Sequence, residues 1–117
     1  MSLRGTGIVL GVLTALAAGA QLQPAAAPFM QAMNASMERM DRQMASAPMN
    51  GTVDHDFASM MIPHHQGAID MVNDLFKAYG AAQDDTIYKF ASDVFADQSI
   101  EIAVMQKMLG SSPQAGR

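Results

Sequence analysis

The eighteen residues from Asp54 to Met71, DHDFASMMIPHHQGAIDM, constrain this chain more than any other stretch. They hold all three histidines of the protein, His55, His64 and His65, together with Met60, Met61 and Met71. Steps of three and four place Asp54, Phe57, Met61, His64, Ala68 and Met71 along one side of a helix. Such a stripe is expected to face inward, yet it carries an imidazole and two thioethers. Both groups are metal ligands, and thioether selects soft ions such as Cu(I). A histidine in an apolar stripe serves equally as a hydrogen-bonded core residue, so the rest of the chain has to bear on the choice.

Methionine is the outlying residue. There are twelve in 117 residues, with no cysteine and no tryptophan. Cores normally use methionine sparingly, because its flexible chain specifies packing poorly. Without cysteine, neither a disulfide nor a thiolate metal site is available. The length suits one small domain.

Residues 1–20 read as an export signal. Arg4 supplies the positive start and Ile8 to Leu16 an apolar run. Ala18-Gly19-Ala20 then gives a small-residue cleavage pattern before Gln21. The run is too short to be comfortable as a membrane anchor. The expected location is periplasmic or secreted. Loss of Arg4 moves the formal charge from −4 to −5, and an acidic surface argues against nucleic acid as a partner.

Three helices are predicted, near 28–46, 53–79 and 85–109. After a lead-in at 21–27, Pro28 suits a first helical turn. Met30, Met33, Met37, Met40 and Met44 then step by three and four, and no Leu, Ile or Val occurs between Pro28 and Gly51. This stripe reads either as ordinary core or as a thioether-lined groove. Pro48 and Asn50-Gly51 mark a turn, and Thr52 or Asp54 is the expected cap of the second helix. Pro63 should kink that helix or divide it into two abutting pieces, and Gly80 should end it. Asp84 or Asp85 caps the third helix. Its stripe, Ile87, Ala91, Val94, Gln98, Glu101, Met105 and Met108, is apolar except for Gln98 and Glu101. Residues 111–117 form a tail.

A short loop makes the second and third helices an antiparallel pair. At a common rise per residue, facing positions then have numbers summing to about 165. Leu75 should face Phe90, Met71 Val94, His64 Glu101, Met61 Met105, and Phe57 Met108. The inward histidine and glutamate fall at one level, with thioethers beside them. Two readings remain open. One is a buried His64–Glu101 hydrogen bond between methionine layers. The other is a metal site of Met61, His64 and Met105, with Glu101 or Gln98 orienting the imidazole. His65, rotated about 100° from its neighbour, should point to the flank, toward the first helix or solvent.

Asp54, Phe57, Met61, Pro63-His64-His65-Gln66, Ala68 and Met71, followed by Gln98, Glu101-Ile102, Met105 and Leu109, resemble the bacterial family known as domain of unknown function 305. The M-I-P-H-H-Q-x-A-I-x-M run is highly specific, and Q-x-x-E-I-x-x-M is its usual second half. The resemblance implies a ferritin-like all-α bundle, export, and copper binding by Met61, His64, His65, Met71 and Met105. Asp54, Gln98 and Glu101 stand as supporting or additional ligands, and Met33, Met37, Met40, Met44, Met60 and Met108 as auxiliary thioethers. The family often has tryptophan where this chain has Met108.

The expected function is therefore an exported binder that sequesters or delivers copper, as Cu(I), with Ag(I), Cu(II) and other soft or borderline metals as further candidates. A homodimer and other copper-handling envelope proteins are the expected partners. The alternative is a structural or interaction module with an adaptable methionine-rich surface. An enzyme is not expected. A ferritin-like di-iron site needs E-x-x-H motifs. Beyond residue 20 the only glutamates are Glu38 and Glu101, and neither has histidine three residues on. H-E-x-x-H is absent as well.

Overall fold

The computed structural model describes residues 24–78 and 84–111. Within them lie three helices, α1 (Ala26–Ala45), α2 (Val53–Ala78) and α3 (Asp85–Ser111), and no strand. The expected all-α class and helix count are both present. α1 begins two residues ahead of Pro28, and α3 runs through Gly110 rather than stopping before it. α2 is one continuous helix with Pro63 inside it, not two abutting pieces. The Gly80 stop, the export segment 1–20 and the tail beyond Ser111 lie outside the described residues.

The helices form a row with α2 in the middle. α1 and α3 each pack on α2, and among the described residues their backbones do not come close to each other. The α1–α2 seam is partly polar. Ser36, 2% exposed, donates its hydroxyl to Asp74 at 2.6 Å. Arg39 donates to the Ser36 oxygen at 3.2 Å and reaches Asp70 at 3.5 Å. One turn along, the Met40 side chain lies on Gly67, where a Cβ would stand 2.4 Å from its sulfur. A glycine in a helix interior is costly, and here its bare backbone lets α1 approach. The α2–α3 seam is apolar, with Ala58, Ile69, Val72, Ala91 and Met105 buried. Phe76 stacks on Tyr88 with centroids 5.0 Å apart, and His65 meets Glu101. Numbers fall along α2 as they rise along α3, and both pairs fall close to the expected sum.

The predicted level is thus right and the predicted face is wrong. The stripe of Asp54, Phe57, Met61, His64, Ala68 and Met71 does not point at α3. Phe57 is 62% exposed, Asp54 and His64 are exposed, and Met61, Ala68 and Met71 are half-buried. The physical reason is that α2 serves two neighbours on nearly opposite sides. Gly67, Asp70 and Asp74 face α1, while Ala58, His65, Ile69, Val72 and Phe76 face α3. Two flanks remain. One is polar, with exposed Gln66, Asn73 and Lys77. The other is apolar, and it is the stripe read as inward. The third-helix stripe is corrected in the same way. Ala91 and Met105 are buried, but Ile87, Phe90 and Met108 are exposed. Phe90, Phe57 and Met108 of the expected pairs thus keep much of their surface open, while Leu75 is half-buried.

The turn before α2 is capped differently from expectation. Gly51 takes φ of 85°, the left-handed region that glycine enters at little cost. The Thr52 hydroxyl does not cap the helix; it donates to Asn50 Oδ1 at 2.7 Å. Instead Asp56 reaches back from the first turn, accepting the Asn50 and Gly51 N–H groups at 2.8 and 3.1 Å. The His55 ring nitrogen lies 3.0 Å from the same carboxylate. His55 is thereby committed to the turn. Asp84 does cap α3, accepting the Thr86 N–H at 2.8 Å.

These bonds give a pH prediction. The His55 ring, then the Asn50 N–H, with a smaller contribution from the Gly51 N–H, hold the Asp56 carboxyl below its ordinary value of 3.8. A depressed folded-state value stabilises the fold above the unfolded value, and that stability is lost as pH falls through the folded one. Asp56→Asn should therefore lower Tm at neutral pH. The gap from wild type should close in acid, once pH drops below the ordinary carboxylate value. Thermal melts followed by circular dichroism across that range check it; a gap that stays constant in acid refutes it.

Candidate metal centre

His65 sits in the middle of α2 on the side turned to α3. Its side chain is 15% exposed. Nε2 lies 2.6 Å from Glu101 Oε2. An ionised carboxylate only accepts, so Nε2 donates, and in the neutral ring Nδ1 is left as a bare lone pair. That Nδ1 is buried and has no hydrogen-bond partner. Leaving a buried polar atom unmade costs about 1–3 kcal/mol. The ring of His64 stands edge-on to it, centroids 5.9 Å apart.

The expected His64–Glu101 pair is therefore replaced by His65–Glu101. His64 is exposed and His65 is the seam residue, the reverse of the expected orientations. A shift of one residue turns the side chain by about 100°, which is the angle by which the inward face was misjudged.

The other expected ligands divide into groups. Met61 is one turn before His65 and half-buried, and Met105 is one turn after Glu101 and buried. By position along their helices, each lies one turn from a member of the His65–Glu101 pair. Gln98, half-buried, lies one residue short of a turn before Glu101. Met71 lies half-buried on the apolar flank of α2, and Met60 is exposed there. Asp54 is exposed near the start of α2, away from the pair. Met40 is occupied against Gly67. Met33 and Met44 are half-buried and Met37 is exposed, on the flank of α1 away from Arg39. Met108 is exposed near the end of α3.

Sequence reasoning missed Gly67, Ser36 and Asp74. Gly67 could have been found, since an isolated glycine in a helical pattern signals a packing reason. Ser36 interrupts the methionine run on the line facing α2, and nothing local marks Asp74 as its partner.

Among the described residues, no three His, Asp or Glu side chains come together so as to hold an ion. The other donors along this part of α2 are imidazole from His64 and His65 and thioether from Met60, Met61 and Met71. That donor set suits a soft ion and does not suit a hard one. A cleft of about 390 Å³ lies beside the α1–α2 turn, lined by Gln43, Pro48, His55, Ser59 and Leu109 among others. It includes neither His64 nor His65. No described helix is long and apolar enough to cross a membrane.

The fold and the His65–Glu101 seam define a small all-helical protein with histidine and methionine gathered about its middle helix. Residues 10–109 match the family described as Domain of unknown function (DUF305), and the chain belongs to that family. No curated protein matches it.

Proposed function

We propose that this protein binds copper, as Cu(I) ahead of Ag(I) or Cu(II), and sequesters or delivers it outside the cytoplasm without catalysing a reaction. The observation that carries the reading is the His65 ring. One nitrogen is fixed by a carboxylate, and the other is buried with its lone pair unused. A carboxylate behind an imidazole sets the tautomer and raises the basicity of the ligating nitrogen. The same arrangement would leave an orphaned acceptor in a protein without a ligand. His65 Nδ1 with Met61 and Met105 is the preferred donor set, and Glu101 holds the ring. His64 and Met71 are the further donors. A copper ion bound there would be a cargo held by soft ligands. Protons compete for the same nitrogen, so affinity should fall as pH falls.

The finer fold reading, a ferritin-like bundle centred on an antiparallel α2–α3 pair, is part of this proposal, as is export through residues 1–20. The alternative of an interaction module has its own support in the apolar flank of α2.

Met61→Leu separates the roles of that methionine. Leucine has nearly the same volume, and such swaps usually cost under about 1.5 kcal/mol. If the sulfur binds copper, the variant should fold normally and lose Cu(I) affinity, with Cu(II) affected less because it leans on imidazole and oxygen. Titration with Cu(I) against a competing chelator checks this. Unchanged affinity in Met61→Leu, Met105→Leu and the double variant removes the thioether site.

A further inference from the structure

We infer that the apolar flank of the helix row is the interface of a homodimer, two copies packing face to face over α2. This goes beyond the metal reading and needs no metal.

The face is continuous across all three helices. On α2 it comprises Val53, Phe57, Met60, His64 and Met71. On α1 it takes the flank opposite Arg39, with Met30 and Met37. On α3 it takes the flank that carries Glu101, with Phe90 and Val104. The two seams place these flanks on one side. Arg39 and Asp70 mark the polar side of the α1 seam, so the α1 methionines fall on the other. His65–Glu101 lies on the apolar side of the α3 seam, and Phe76–Tyr88 on the polar side.

Met30, Val53, Phe57, Phe90 and Val104 each leave more than half of their area open. Aromatic side chains such as Phe57 and Phe90 carry about 150–250 Å² apiece, and valine and methionine less. With Met37 and Met60, the face offers on the order of 800 Å², which is what one partner of a stable interface buries. The largest apolar patch on a typical monomer is only about 300–600 Å².

A second copy fits this face better than other occupants. A single row of helices buries only its seams, and domains are completed by a second layer. A two-fold axis in the plane above α2 lays middle helix on middle helix. Every helix contributes apolar residues, so apolar side chains meet over the middle of the row, with the α3 carboxylates toward its edge, and the same patch is used on both copies, as an isologous contact requires. A lipid surface fits poorly. Asp93, Asp97 and Glu101 line the α3 side, all exposed, and the chain carries a net charge of −4. Anionic membranes attract basic segments, not acidic ones.

The test is sedimentation equilibrium of the full chain, with metal removed by chelator, across the micromolar range. Wild type and Asn73→Glu, on the polar flank, should sediment at twice the chain mass. Phe57→Glu combined with Val104→Glu should sediment as a monomer with unchanged helical circular dichroism. A monomeric wild type, or a double variant that stays dimeric, overturns the inference. If the double variant does not fold, the absence of native cysteine permits single-site spin labels. Phe57→Cys should show dipolar coupling between chains and Asn73→Cys should not; coupling absent at Phe57 overturns the inference equally. Failure of copper binding would leave all these outcomes unchanged.

Discussion

Replacing His65 by alanine is expected to lower Cu(I) affinity by at least about 100-fold, the upper range for losing even an outer-shell partner of a metal ligand. Glu101→Gln should cost less, roughly 10- to 100-fold, since it weakens the hold on the ring without removing the donor. His64→Ala should cost less than His65→Ala, because His64 is exposed and has no carboxylate behind it. The order of the three variants is the informative result. A ligand role predicts His65 first, then Glu101 and His64. A purely structural His65 predicts no change in affinity and a loss of thermal stability instead. The measurement is competition with a chromogenic Cu(I) chelator, paired with a thermal melt of each metal-free variant. If His64→Ala abolishes binding while His65→Ala leaves it intact, the centre lies on the apolar flank and not at the α3 seam.

Gly67→Ala is expected to be the most damaging small substitution in the seams. The new Cβ would fall 2.4 Å from the Met40 sulfur, 2.6 Å from its Cγ and 2.8 Å from its Cβ. The Met40 Cβ is tied to its backbone, so rotating the side chain does not relieve the clash, and α1 must move away. Overpacking of this kind costs about 1–3 kcal/mol. Alanine recovers roughly 0.5–1 kcal/mol of helix preference. A net loss near 1–2 kcal/mol corresponds to a fall in Tm of about 10 °C for a domain of this size. Met40→Gly removes the Cβ together with the Cγ and sulfur, so the double variant should be more stable than the sum of the two single losses predicts. A double-mutant cycle by thermal or chemical denaturation measures that coupling. Additive effects would mean that Gly67 and Met40 are not in contact.

Much of the architecture was legible because helices announce themselves locally. The spacing of apolar residues, Asp84 ahead of the third helix and the Pro48 to Gly51 turn are properties of neighbouring residues. They placed all three helices within a few positions of their observed ends. The turn chemistry was harder. Thr52 and Asp54 were good cap candidates by type, yet Asp56 takes the N–H groups because Asn50 already engages Thr52. Competition between several short polar side chains is decided by geometry that a residue-type preference does not contain.

The candidate site shows the same division. Loop length and the rise per residue are one-dimensional quantities, and they sufficed to put the histidine pair and Glu101 at one level. Which histidine meets the carboxylate depends on rotation about the helix axis. That angle follows from where the neighbours pack. An apolar stripe tells that a face avoids water, not what covers it. The chain by itself therefore determined the helices, their order and the level at which a histidine meets Glu101. Only the tertiary structure decided that α2 would stand between the other two helices. Ser36 and Gly67 draw α1 to one side, and Ile69, Val72 and Met105 hold α3 on the other. Those two seams turned His65 inward and left Phe57, His64 and Met71 on the open face.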